Sequence, residues 1–123
     1  MGKEDKLQRR MQKWARVVNV DPHWKLKLIH CDDPVAAGQV FINSERWEAT
    51  IAVNKAVPSE EIDWVLVHEL LELSFYEIRS SVVHLMKNLI EDDKVRTAVY
   101  AQWAGSINRF IEKMVPIILK GTE

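Results

Sequence analysis

The segment from Trp64 to Leu73 is the feature that most restricts how this chain can fold. It reads WVLVHELLEL, and apolar residues outnumber the three ionisable ones, His68, Glu69 and Glu72. A helix that is apolar on nearly all sides is buried at the centre of a domain. Burying three ionisable side chains without partners would cost several kcal/mol. The segment therefore predicts a central helix whose polar residues face a cleft, pair with basic side chains or bind a cation.

The part of the chain before this helix has the patterns of one helix followed by strands. Apolar residues at spacings of three and four predict a basic amphipathic helix within residues 1–20. Alternation of apolar and polar residues predicts a sheet over residues 24–54. Its last two runs, residues 39–43 and 47–54, flank a short polar turn and predict a β-hairpin.

The rest of the chain has helical periodicity. We expect a motif helix over residues 59–78 that is capped by Ser59, then a break at Ser80-Ser81, and further helices over residues 81–120. The order of elements predicts a single domain, residues 1–123, of the α+β class. Its small, mostly antiparallel three-stranded sheet would pack against the motif helix and the later helices.

Composition limits the class of protein. The chain has 123 residues, of which 47% are hydrophobic and 28% charged, a balance typical of globular domains. Cys31 is the single cysteine, so an intramolecular disulfide and a cysteine-based zinc site are both excluded. No apolar run approaches the ~20 residues that span a bilayer, and the first residues lack the pattern of a signal peptide. We therefore expect a cytoplasmic protein with no membrane contact.

Charge is distributed unevenly along the chain. Residues 1–27 carry eight Lys or Arg against three Asp or Glu, although the net charge of the whole chain is −1. A solvated helix face is the favoured interpretation of this basic stretch. Contact with an acidic partner or with nucleic acid is the less favoured alternative, and it would weaken as salt is added.

His68 and Glu72 have the spacing of metal ligands on a helix. Positions four apart lie within about 40° of each other around the axis, so both side chains could bind one divalent ion. In the related HExxH pattern, the intervening glutamate accepts a proton from metal-bound water. By analogy, Glu69 would be the catalytic base. The plainer alternative is that the motif arises by chance, with the glutamates paired to Arg79 or Lys87 and His68 satisfied in the core.

The region around this motif resembles the minimal zincin-like metallopeptidases, small domains often encoded by phages and mobile elements. The resemblance rests on the strand Ala49–Asn54, the linker Pro58–Glu61 and the block Trp64–Leu71. It implies a zincin-like fold, zinc or another divalent metal as cofactor, and hydrolysis of a peptide bond. It also implies that residues 47–54 form an edge strand that pairs with an extended peptide substrate, chiefly through Ala49, Ile51 and Val53.

The chain departs from that family at Glu72, where the family has its second histidine. Zinc accepts carboxylate ligands, but the added negative charge should weaken its action as a Lewis acid. The family layout implies an acidic third ligand, for which Asp93 is the first choice and Asp92 or His84 the alternatives. Gln102 is a weaker candidate. Capping of the last helix explains the acidic residues equally well.

Two hypotheses about function follow. The first is a metal-dependent peptidase, in which Glu69 activates water beside a metal held by His68, Glu72 and Asp93. The second is a catalytically inactive zincin-fold module that acts by binding a peptide or protein partner. A homodimer is also expected, because the last helix carries more apolar surface than one small core needs.

Overall fold

The computed structural model describes residues 3–32 and 36–121 of the chain. Its helices and strands occur in the order α1 (Lys3–Val17), β1 (Lys25–Cys31), β2 (Gly38–Asn43), β3 (Glu48–Asn54), α2 (Ile62–Ser74), α3 (Tyr76–Leu89) and α4 (Asp93–Gly121), with a 3₁₀ turn at Ser59–Glu61 before α2. The α+β class and the three-stranded sheet are thereby confirmed. None of the helices in the described residues is long and apolar enough to cross a membrane.

Helix α1 forms because one apolar stripe can be buried against the sheet and α2. Leu7, Met11 and Trp14 are all at most 5% exposed. The helix ends at Val17, and Asn19 just beyond it has a φ of 59°, in the left-handed region. There the backbone N–H of Val20 donates to the carbonyl of Ala15 at 2.9 Å. This closing pattern satisfies carbonyls at the helix end, so the helix stops before the Asp21-Pro22 pair.

The sheet has the order β1-β3-β2, with β1 parallel and β2 antiparallel to β3. The sheet is therefore mixed, which corrects the expectation of a mostly antiparallel one. The hairpin of β2 and β3 is present as predicted, with the Asn43 side chain accepting a hydrogen bond from the backbone of Arg46 in its turn. Strand β1 joins β3 on its far side instead of pairing with β2. Sequence alternation reports which face of a strand is buried, but it does not report which neighbour the strand has.

Helix α2 lies at the centre of the molecule, as its composition predicts. Eight of its thirteen residues are buried, and Leu66 and Leu70 are fully so. It packs against β2 and β3 on one side and against α1, α3 and α4 on the others. From α4, only Ile111 and Val115 are buried in the described structure, so it is the C-terminal half of α4 that completes the core.

The boundaries of α2 differ from those expected. Ser59 is not the capping residue: it lies in a 3₁₀ turn, and Glu61 occupies the N-cap of α2 without a side-chain hydrogen bond. The chain then breaks at Phe75, not at Ser80-Ser81, which lie inside α3. Phe75 donates its N–H to the Leu71 carbonyl at 3.0 Å and packs edge-on against Phe110 at 5.8 Å. The break thus falls at an aromatic residue that packs on α4, whereas serine is tolerated in a helix when its neighbours favour one.

Candidate functional site

The three polar residues of the motif lie on α2, and the beginning of β2 meets this helix at Glu69. Glu69 is 8% exposed and is the one charged residue among the buried side chains of the described structure. Gly38 opens β2 directly above it, and a Cβ added at Gly38 would lie 3.3 Å from Glu69 Cγ and overlap a methyl group of Val65. The absence of a side chain at Gly38 therefore lets the strand approach the motif helix closely.

His68 is held by its neighbours on the same helix. Its Nδ1 lies 3.3 Å from Glu69 Oε1, and its ring stacks on Trp64 with the centroids 5.0 Å apart. The hydrogen bond to Glu69 raises the pKa of His68; burial opposes this, and the negative charges of Glu69, Glu72 and Glu112 add to it. His68 is therefore more readily protonated than an ordinary histidine.

Glu112 is a residue that sequence reasoning missed. It lies on α4 and contributes to the electrostatic potential at His68, although it is far along the chain. It directly follows the buried Ile111, and it lies four residues after Asn108 and so shares a helix face with it. The periodicity of α4 contains that information, but nothing local indicates that this face lies beside α2.

Glu72 is paired with a guanidinium. Arg79 Nη2 of α3 lies 3.1 Å from Glu72 Oε2 and donates a hydrogen bond of 2.8 Å to Asn108 Oδ1 of α4. The two charged side chains are only 21% and 22% exposed. Arg79 thus compensates the charge of Glu72 and ties three helices together, as the plainer interpretation of the motif predicted for this glutamate.

The candidates for a third metal ligand do not lie with His68 and Glu72. Asp93 pairs with Arg96 at the start of α4, and its side chain is 84% exposed. Asp92 caps the same helix, accepting hydrogen bonds from the N–H groups of Lys94 and Val95 at 2.9 and 3.1 Å. His84 and Gln102 are exposed on α3 and α4. Capping and a local ion pair account for both aspartates in this structure, and a metal-binding role for either stays a prediction.

The residues present do not fit a metal centre as they are arranged here. Within residues 3–32 and 36–121, no three His, Cys, Asp or Glu side chains are grouped so that they could hold a metal ion. The chemistry of the donors explains why: a cation placed at Glu72 would stand beside the positive charge of Arg79, which already satisfies that carboxylate.

The expected substrate strand is also corrected. Strand β3 lies between β1 and β2, so its backbone already pairs on both sides. Ala49, Ile51 and Val53 are at most 1% exposed and face the core. The parallel pairing with β1 buries β3, and no peptide could add to it.

The two edges of the sheet differ in their accessibility. At β1, the Gln8 side chain donates to the Leu26 carbonyl at 3.0 Å and accepts from the Leu28 N–H at 2.9 Å, so α1 covers that edge. At β2, no strand of the described chain pairs with the outer side. The accessible edge is therefore β2, the strand that crosses α2 at the motif.

Comparisons with models of known protein families, with curated proteins and with solved structures found no match to this chain.

Proposed function

We propose that the protein is a non-catalytic peptide-binding module with a zincin-like architecture, and that it binds an extended peptide along β2. One observation carries the proposal: the outer edge of β2 has no partner strand among the described residues and begins at Gly38, against α2, while Arg79 neutralises the residue that would be the second metal ligand. An unpaired strand edge can bind an extended peptide, whereas the described residues hold no group of ligands for a catalytic metal.

The backbone of β2 supports pairing with a peptide. Asn54 donates its N–H to the Ala37 carbonyl at 2.9 Å, which identifies these two residues as a hydrogen-bonded pair of the antiparallel ladder. Pairs alternate along such a ladder, so Gly38, Val40 and Ile42 direct their N–H and C=O groups away from β3. An added strand would hydrogen-bond to these three residues.

The surface beside this edge indicates what kind of peptide fits. Trp64 is 39% exposed and lines the same cavity as Ala37, the residue before β2. An adjacent cavity of about 490 Å³ combines apolar walls with two carboxylates. Such a cavity favours an apolar side chain next to a basic one. Its lining residues are Ala37, Val57, Val65, Leu119, Trp64, Glu60 and Glu61.

Peptide titration followed by NMR tests the proposal. The probe is a short acetylated peptide of alternating valine and lysine, and its matched control replaces lysine by glutamate. We expect the basic peptide to shift the amide signals of residues 38–42 and to slow their hydrogen exchange. Trp64→Ala should weaken this binding, whereas Trp103→Ala on α4 should not. Equal binding of both peptides, or shifts confined to other parts of the chain, would contradict the proposal.

A second candidate, a metal-dependent peptidase, is favoured by one observation. Glu69 Oε1 lies 3.3 Å from His68 Nδ1, and the charges of Glu72 and Glu112 also act on His68, so the local potential would attract a cation. Elemental mass spectrometry of protein purified without a chelator or a His-tag tests it, beside a His68→Ala/Glu72→Ala variant. Near-stoichiometric metal that the variant loses would support this candidate over the first. Protein that stays free of metal after reconstitution would reject it.

A further inference from the structure

A second cavity lies at the other end of α2, where α3 begins. Its volume is about 330 Å³, and three aromatic rings form much of its wall. The remaining lining is a carboxylate and three hydroxyl groups, and no Lys or Arg contributes to it. The lining residues are Trp24, Trp47, Tyr76, Glu77, Ser44, Ser80 and Ser81.

The planes of neighbouring rings in this cavity are steeply inclined to one another. Trp24 lies between the other two rings: its centroid is 4.9 Å from that of Trp47, at an interplanar angle of 53°. Tyr76 meets Trp24 nearly at a right angle, 81°, with the centroids 6.2 Å apart. Trp24 is buried, whereas Trp47 is 37% exposed, so Trp24 forms the floor and Trp47 a wall open to solvent.

The backbone of Trp47 is in a strained conformation. Its φ is 54°, in the left-handed region that a bulky residue rarely adopts. A hydrogen bond of 2.7 Å from the Lys25 N–H to the Trp47 carbonyl holds it there. The ring packs against Trp24 and His23, with centroids 4.9 and 5.5 Å away, and is still 37% exposed. Strained backbone of this kind is concentrated at binding sites.

We propose that this cavity binds a quaternary ammonium group, such as the head of a trimethyl-lysine side chain or of a choline-like molecule. The negative faces of aromatic rings attract a cation, and methyl groups make that cation weakly hydrated and suited to an apolar cage. Glu77 adds a formal negative charge, and the absence of lysine and arginine from the lining disfavours anions. The proposal is independent of peptide binding along β2, since the two sites share no lining residue.

NMR titration with three probes tests the proposal: tetramethylammonium, a short peptide containing trimethyl-lysine, and the same peptide with a neutral tert-butyl isostere. We expect the indole N–H signals of Trp24 and Trp47 to shift with both cations, and that of Trp103 to stay in place. The neutral peptide should bind about tenfold more weakly, because it fills the same volume without a charge. Equal affinity for the charged and neutral peptides would overturn the proposal.

Choline, added as a fourth probe, distinguishes the two sources of the ligand. Tighter binding of the trimethyl-lysine peptide than of choline indicates a modified protein partner, and the reverse order indicates a free small molecule. Either result supports the quaternary ammonium site. No saturable shift with any of the cations would overturn it.

Two variants separate loss of binding from loss of folding. Glu77→Gln changes one exposed side chain and should weaken cation binding severalfold without changing affinity for the neutral probe. Trp47→Gly removes a wall and its contact with Trp24 but relieves the positive φ, which offsets part of the lost stability, so the variant should still fold and yet lose binding. Wild-type affinity in a folded Trp47→Gly protein would contradict the cage.

Discussion

At the scale of single residues, Arg79 determines the charge balance around Glu72 of the motif. Its guanidinium reaches Glu72 on one helix and Asn108 on another, and its Nε is buried without a hydrogen-bond partner among the described residues. A buried guanidinium is costly unless its other contacts are strong. The geometry therefore depends on the Glu72 and Asn108 contacts together.

Replacing Arg79 by alanine should destabilise the fold. The change leaves the Glu72 carboxylate and the Asn108 amide without their shared donor, and we expect a loss of about 1–3 kcal/mol in the free energy of unfolding. Urea denaturation measures it, with Arg46→Ala in the exposed hairpin turn as the control. In the double variant Arg79→Ala/Glu72→Gln the loss should be smaller than the sum of the single losses. Strict additivity would show that the two side chains are not coupled.

Asp63 supports a second prediction, about pH. It accepts hydrogen bonds from Arg10 Nε at 2.5 Å and from Trp14 Nε1 at 2.8 Å, which join α1 to α2. Burial raises the pKa of Asp63, but these two hydrogen bonds and the charges of Arg10 and Lys13 outweigh it, leaving the pKa below its ordinary value. The part of the stability that Asp63 contributes is thus present above its unfolded-state pKa and lost as pH falls through its folded-state pKa.

Asp63→Asn should consequently destabilise the protein at neutral pH by about 1 kcal/mol, a modest value because the pair is partly exposed. The difference from the parent chain should shrink once pH falls below about 4. Denaturation at several pH values measures this, with the exposed Glu60→Gln as the control. A difference that stayed constant down to pH 2 would show that the charge of Asp63 is not involved.

At the scale of elements, the approach of β2 to α2 depends on Gly38. An added Cβ would overlap Val65 Cγ1 and lie 3.3 Å from the Ala52 carbonyl oxygen. Gly38→Ala should therefore cost about 1–3 kcal/mol through overpacking. Adding Val65→Ala removes the overlapping methyl group. The double variant should therefore lose less stability than the sum of the losses of the two single variants. Thermal denaturation of the three variants measures the coupling, and independent effects would contradict the close contact.

The order of strands is the element-scale feature that the sequence did not reveal. Ala49, Ile51 and Val53 alternate as a strand with one buried face, and the structure confirms that pattern. The same alternation suits an edge strand and a central one. The parallel pairing of β1 with β3 depends on the path of the chain after α1. Its register places Leu28 opposite Ile51 and follows from the packing of these strands against α1 and α2.

At the scale of the whole molecule, buried side chains are distributed unevenly among the helices. Helix α3 contributes no buried residue in the described structure, while α2 contributes eight. Local opening requires little free energy where few apolar contacts are broken. We therefore expect amide hydrogen exchange to be slowest in α2 and β3 and much faster in α3.

Two leucine variants test the same difference in burial between α2 and α3. Leu66 is fully buried, so Leu66→Ala should cost about 2–5 kcal/mol, whereas Leu89 is 77% exposed and Leu89→Ala should stay within about 0.5 kcal/mol. Chemical denaturation measures both changes. Equal losses at the two positions would show that α3 is buried in solution, for instance in an oligomer.

Self-association stays a prediction. Phe110 and Ile117 on α4 are 48% and 62% exposed, and seven positions separate them, so they lie on one face of the helix. We expect the mass measured by sedimentation to rise with concentration and Ile117→Lys to suppress the increase, with Lys113→Ala as the control. A monomeric mass at every concentration would contradict a homodimer.

The sequence by itself determined the types of secondary structure in this protein and which helix lies at the centre of its core. The apolar run around Leu66 and Leu70 had to become a buried helix, the stripe through Met11 and Trp14 had to become an amphipathic one, and the hairpin followed from its turn. These features depend on hydrophobic periodicity, which is local. Only the tertiary structure decided that Arg79 meets Glu72 and Asn108, that Glu112 lies near His68, and that Trp24, Trp47 and Tyr76 enclose a cavity. Those contacts join residues far apart along the chain, and their geometry exists only once the helices have packed.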